Sequence, residues 1–185
     1  ELAEYASIPV INALTDYAHP CQILADLLTI REHKGSFDGK KMCFIGDGAN
    51  NMANSLVVGC LMAGMDVAVA TPKGYEPDPT VLEYAKQYGD KFTLTEDVME
   101  AAKDCDALFT DVWSSMGMES EIEQRKMLFK DYQINADVMA VALIVEVDVK
   151  EAVSASICRI NHVGGVDIRR IPHLAIYITT VLVIE

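Results

Sequence analysis

Three short polar runs carry side chains able to bind or polarise a small ligand. The first is Asp16-Tyr-Ala-His-Pro-Cys-Gln22. A neutral His19 can donate one hydrogen bond, and Gln22 offers two amide hydrogens one helical turn later. Together they suit polarising a carbonyl oxygen; the plainer alternative is a capping histidine beside a solvated glutamine. The second is Ile45-Gly-Asp-Gly-Ala-Asn-Asn51. Its glycines let backbone approach a ligand, and a helix start there favours a carboxylate. Asn50 and Asn51 can pair with both the carboxylate and the ammonium of an amino acid, although Asn50 would equally serve as a helix N-cap. A dinucleotide fingerprint fails on detail. The third glycine of GxGxxG falls at Asn51, and the next apolar run ends Val69-Ala70-Thr71 without an acid. The third run is Thr110-Asp-Val-Trp-Ser-Ser-Met-Gly117. Asp111 can hold an ammonium group, while Ser115 and the amides before Gly117 can hold a carboxylate; alone, it could be an irregular loop around a half-buried Trp113.

The elements that must position these runs follow from hydrophobic periodicity. Residues 8–14, 41–45, 67–70, 91–94 and 107–110 read as strands. Helices are expected at 20–33, 50–65, 79–88, 96–103 and up to residue 130, with a Pro- and Gly-rich loop at 71–79. Strands alternating with helices imply crossover connections and a doubly wound parallel sheet, Rossmann-like, in three α/β/α layers. In such sheets ligands lie beyond the carboxyl ends of the strands. All three runs are expected at successive strand ends, with residues 47–51 and 111–117 on the same edge. After residue 142 the texture changes. Residues 143–149 and 174–184 are β-branched runs that either complete the same sheet or form a small β-α-β piece.

The chain has 185 residues, half of them apolar, enough for a sizeable core. Fifteen basic against 28 acidic residues give a net charge of −13, which argues against nucleic acid as a partner. Five cysteines show no metal-ligand spacing, and buried free thiols suit a reducing cytoplasm. No signal peptide opens the chain, and the runs 56–65 and 174–184 are too short or too polar to span a membrane. The expectation is a soluble, cytoplasmic protein. Its opening in apparent mid-helix suggests a truncated chain.

The order and spacing of four elements resemble the ornithine carbamoyltransferases. They are His-Pro-Cys-Gln at 19–22, Gly-Asp-Gly with Asn-Asn and Ser55, Pro-Lys-Gly-Tyr-Glu-Pro-Asp at 72–78, and Asp-Val-Trp-Ser-Ser-Met-Gly at 111–117. The related aspartate enzymes share His-Pro-x-Gln but lack the Asn-Asn and Ser-Met-Gly elements. The resemblance covers residues 1–142, expected as an ornithine-binding domain. It implies transfer of a carbamoyl group from carbamoyl phosphate to L-ornithine, giving L-citrulline and phosphate, within arginine biosynthesis or the urea cycle. By the same resemblance Asn51, Asp111, Ser115 and Met116 bind the α-amino and α-carboxylate groups, with Asn50 as helper. His19 and Gln22 act on the carbamoyl group, within a carbamoyl phosphate element of His19, Pro20, Cys21 and Gln22. No metal or organic cofactor is implied.

The sequence departs from the family in two places. The Ser-Thr-Arg-Thr phosphate loop of the N-terminal carbamoyl-phosphate domain occurs nowhere in it. That domain is therefore expected to be absent, and with it most contacts of the family homotrimer. Where the family carries His-Cys-Leu-Pro, this chain reads Val145-Glu-Val-Asp-Val149, and residues 143–185 match nothing expected of the family. The alternative to a partial enzyme is a non-catalytic amino-acid-binding or interaction protein on the same fold.

Overall fold

Lys41–Ile45 forms β1, in which Met42, Cys43, Phe44 and Ile45 are all fully buried. A strand apolar on both faces needs cover on both. The computed structural model, which describes residues 2–113, 121–142 and 182–183, supplies that cover in three layers. Asp66–Ala70 (β2), Phe92–Thr95 (β3) and Ala107–Phe109 (β4) join β1 in parallel, and Leu182–Val183 (β5) runs antiparallel beside β4. The order is β3-β2-β1-β4-β5. Alternation sends Met42, Phe44, Val67, Val69 and Phe109 to one face and Cys43, Ile45, Ala68, Ala70 and Leu108 to the other.

The helices are α1 (Leu2–Tyr5), α2 (Pro20–Lys34), α3 (Asn51–Met62), α4 (Pro79–Ala85), α5 (Val98–Ala102), α6 (Ile122–Leu128) and α7 (Ala136–Val141), with a 3-10 turn at Lys86–Lys91. Ile23 and Ile30 of α2, most of α3, and Val81 and Ala85 of α4 pack on the first face. Ala101 and Ala102 of α5, Phe129, Tyr132, Ile134 and the α7 residues Val138 and Met139 cover the second. Side-chain caps begin these helices where the sequence provides them. Asn50 Oδ1 accepts from Ala53 N at 2.7 Å at α3, and Asp78, Asp97 and Asn135 do the same for α4, α5 and α7. No helix among the described residues is long and apolar enough to cross a membrane.

The doubly wound sheet is as expected, and the strand order locates its switch point. The chain steps outward from β1 through β2 to β3, then returns to place β4 on the other side of β1. The loops after β1 and β4 therefore diverge and leave a crevice between them, the usual ligand position in such sheets.

Residues 8–14 correct the sequence-based expectation of a strand. They have no regular secondary structure, and Ile8, Val10, Ile11 and Leu14 are 73%, 45%, 80% and 56% exposed. A strand is stabilised by a hydrogen-bonded neighbour, and an apolar β-branched run specifies none. Two of the three polar runs thus follow strands of the sheet, while the first arrives through a loop into α2. Of the C-terminal runs, residues 143–149 and most of 174–184 lie outside the described residues.

Candidate active site at the β1–β4 crevice

Gly46 follows β1 with φ 139°, a backbone that favours glycine, and its N–H donates to Ala70 O at 3.0 Å. Gly48 makes the tightest approach. Its N–H donates to Thr71 Oγ1 at 3.1 Å, and a Cβ there would stand 2.7 Å from the Tyr75 carbonyl oxygen. Thr71, at the end of β2 where a dinucleotide site needs an acid, is instead a buried bracket. Its hydroxyl also donates to Tyr75 O at 2.9 Å. The Gly-Asp-Gly turn is thereby fixed against the 72–78 loop, and α3 starts with its N-terminus in the crevice.

Asn50 and Asp111 meet across that crevice. Asn50 Nδ2 donates to Asp111 Oδ2 at 3.3 Å while its Oδ1 caps α3. Asp111 also accepts from Val112 N through Oδ1 at 2.7 Å. Burial pushes the Asp111 carboxyl above its ordinary value; the Val112 bond opposes this, Asp47 adds to it, and His19 draws it back. His19 therefore faces the same space from the start of α2. Its Nδ1 is buried without a hydrogen-bond partner among the described residues.

The loop that brings His19 there is tied to α3 at several points. Asn51 Nδ2 donates to Thr15 O at 2.7 Å, Asn54 Nδ2 to Tyr17 O at 3.2 Å, and His19 N to Ser55 Oγ at 2.8 Å. Ser55 in turn donates to Asn51 O at 2.7 Å. Asn54 extends the tie to α4 by accepting from Asp78 N at 3.0 Å, and Tyr17 shares a 2.6 Å hydrogen bond with Thr80. Asn51, expected to face a ligand, thus spends one amide hydrogen on the loop and keeps its second hydrogen and Oδ1 for other partners. Pro20 is the first residue of α2, where a missing N–H costs nothing, and Cys21 points back to Asn12 O, with 3.6 Å between sulfur and oxygen. Gln22 Nε2 donates to Asp26 Oδ1 at 2.7 Å.

The structure therefore brings His19, Asn50, Asn51 and Asp111 around one crevice, with Gln22 a turn along α2. Ser115 and Met116 lie outside the described residues. Sequence reasoning missed two groups. Arg125 of α6 is buried, donating to Asp47 Oδ2 at 2.6 Å, Trp113 O at 3.0 Å and Glu121 Oε2 at 3.1 Å. Its guanidinium also sits 5.1 Å from the Tyr75 ring centroid. One side chain thus links the β1 loop, the β4 loop and the 72–78 loop. The only sequence signal was the Glu121–Arg125 spacing, which is also that of a solvated helix face.

Asp26 is the other. At 1% exposure it is buried against α3, and burial raises its carboxyl to about 7 despite the lowering effect of the Gln22 bond. The folded state keeps this proton up to about pH 7, whereas an unfolded chain releases it near 3.8. Folding therefore loses stability as pH rises through that window, on the order of 1.4 kcal/mol per pH unit at most. Urea titrations should show Asp26→Asn losing less stability than the parent between about pH 4 and about pH 8. Parallel pH profiles for the two proteins would contradict this.

Comparison with known proteins follows the same lines. The family model described as the aspartate/ornithine carbamoyltransferase, Asp/Orn binding domain, matches residues 38–145. The companion carbamoyl-P binding domain matches residues 1–32. That second match assigns residues expected within one ornithine-binding unit to the carbamoyl-phosphate side. An ornithine carbamoyltransferase of Methanocaldococcus jannaschii is 52% identical over 147 residues, covering 77% of this chain and 48% of the relative. One from Gloeobacter violaceus is 54% identical over 140 residues, covering 74% and 44%. The solved ornithine carbamoyltransferase of Pyrococcus furiosus superposes with a TM-score of 0.70 at 48% identity, covering 76% of this chain and 46% of that one. The chain spans about half the length of the relatives it matches. With the family's domain model matching more than half of its residues, the chain belongs to the aspartate/ornithine carbamoyltransferase family.

Proposed function

We propose that this chain supplies the ornithine-binding part of an ornithine carbamoyltransferase, together with the His19–Gln22 element that addresses the carbamoyl group. The observation that carries the proposal is the meeting of Asn50 and Asp111 at the switch point, with His19 facing them from α2. One carboxylate and several amide donors match the ammonium and carboxylate of an α-amino acid. Asp111 holds the α-ammonium group, Asn51 and Asn50 share the recognition, and Ser115 and Met116 of the same sequence motif complete it.

In this reading the neutral δ-amine attacks the carbamoyl carbon, a tetrahedral oxyanion forms, and its collapse breaks the bond to phosphate, which departs with the proton lost by the attacking nitrogen. His19 stabilises charge on the carbamoyl oxygen, and Gln22, whose Nε2 is turned to Asp26, addresses the carbamoyl group beside it, within the segment that includes Pro20 and Cys21. Holding both substrates in one crevice removes the entropic cost of their encounter. The match of residues 1–32 to the carbamoyl-P domain supports this division of labour, as do the exposed Leu2, Tyr5, Ile8 and Ile11. Such side chains suit packing against further carbamoyl-phosphate-domain surface. The buried thiols of Cys43, Cys60 and Cys105 suit the cytoplasm.

Calorimetry tests the ligand assignment. Ornithine or its analogue norvaline should bind in preference to NAD, and Asp111→Ala should cost about 1.5–3 kcal/mol of ornithine affinity, the scale of a charge-assisted hydrogen bond. Binding of NAD with no response to either amino acid would reverse the assignment.

A further inference from the structure

Asp26 is buried, yet the described structure gives it no cation. Its Oδ1 accepts from Gln22 at 2.7 Å, and its Oδ2 is buried with no hydrogen-bond partner among the described residues. Its neighbours Ile23 and Ile30 on α2 belong to the apolar core, as does Cys60 on α3. An aliphatic side chain would fill this place without the desolvation cost of a carboxyl. A buried polar group kept at such a cost calls for a reason beyond packing.

Gln22 supplies one. An amide's nitrogen and oxygen ends are nearly equal in shape, and rotation by half a turn exchanges them. A carboxylate only accepts, so it selects the nitrogen end and turns the oxygen end away; an aliphatic residue selects neither. Residues four apart on a helix lie on one face, so the contact needs no distortion of α2.

We propose that Asp26 is a positioning residue that fixes which end of the Gln22 amide is presented to the ligand. It touches no reacting atom and acts through Gln22, so its value for catalysis rests on the proposed role of Gln22 at the carbamoyl group. When Asp26 is ionised the choice is enforced. When it is protonated its O–H can also donate, and the amide oxygen becomes an acceptable neighbour. The carboxyl, held near 7, makes that change within an accessible range. Cys60 is the titratable group facing Asp26 from α3, and its thiol is pushed far up by burial and stays neutral there. β5, which also packs on α2, contributes no titratable residue.

The experiment uses the full 185-residue chain. The Gln22 side-chain NH2 signals, identified by their loss in Gln22→Ala, are followed by NMR from about pH 5 to about pH 9. They should titrate in the parent and stay flat in Asp26→Asn, which keeps an acceptor without a titrating proton. Flat signals in the parent, or the same titration in Asp26→Asn, overturn the inference; circular dichroism confirms that the variants are folded. Carbamoyl phosphate binding at about pH 8 separates the two claims. Asp26→Leu should weaken it up to ~10-fold, the effect of a mispresented hydrogen-bonding group, while Asp26→Asn, which can donate as well as accept, should fall between that variant and the parent. Titrating Gln22 signals with equal carbamoyl phosphate binding in all three proteins would leave Asp26 positioning Gln22 and would sink the carbamoyl role of Gln22.

Discussion

Replacing Arg125 with alanine should destabilise the protein by about 3–5 kcal/mol, the cost of leaving one member of a buried ion pair without its partner. The side chains of Arg125 and Asp47 are only 8% and 9% exposed, and 2.6 Å separates Nη1 from Oδ2. Removing the guanidinium strands the Asp47 carboxylate and the Trp113 carbonyl together. Both belong to loops that border the crevice, so under the proposed function ornithine binding should weaken alongside folding. Glu121 is half exposed, and its share of the loss should be within ~1 kcal/mol, as for surface pairs. Urea unfolding measures the total. The double variant Arg125→Met with Asp47→Leu should be less damaged than the sum of the single changes, because no charge is left buried. Additive losses would mean that Asp47 and Arg125 do not depend on one another.

The second large effect concerns turnover. Residues 1–185 by themselves should not form citrulline from carbamoyl phosphate and ornithine at a useful rate. Departing phosphate must be held and neutralised, and no Ser-Thr-Arg-Thr phosphate loop occurs in this sequence. Each missing donor to a developing charge typically costs ~10²–10³-fold in rate, and several are missing at once. Val145-Glu-Val-Asp-Val149, standing where the family has His-Cys-Leu-Pro, adds two acids and no thiol. The measurement is citrulline formation, with His19→Ala as control. Robust turnover that disappears in the His19 variant would mean that the chain carries its own phosphate site.

The particular residues show why some of this was legible in one dimension. The runs 41–45, 67–70 and 107–110 are short, apolar and flanked by turn residues, so their type and order could be read. Parallel pairing then followed from the helices between them. Residues 8–14 have the same apolar, β-branched texture, yet form no strand in the described structure. Composition marks a segment that gains from burial; it does not mark what will bury it. Asn50 was legible as both cap and ligand candidate, and it does cap α3 while reaching Asp111.

Arg125 and Asp26 were not legible for a related reason. An arginine in a charged helix and an aspartate four residues after a glutamine are ordinary surface patterns. Their burial depends on which face of each helix meets a neighbour. That is set by the close approach of α2 to α3 at Gly59, where a Cβ would run into Ile23, and by the return of the chain to β4 beside β1. By itself the sequence determined the alternating elements, the turn after β1 and the types of side chain offered at each strand end, because these depend on local periodicity and backbone sterics. Only the tertiary structure decided that the ends of β1 and β4 share a crevice, that Asn51 is partly spent on the Thr15 carbonyl, and that Asp26 and Arg125 lie inside. Those outcomes are fixed by contacts between residues tens of positions apart, whose partners no local pattern names.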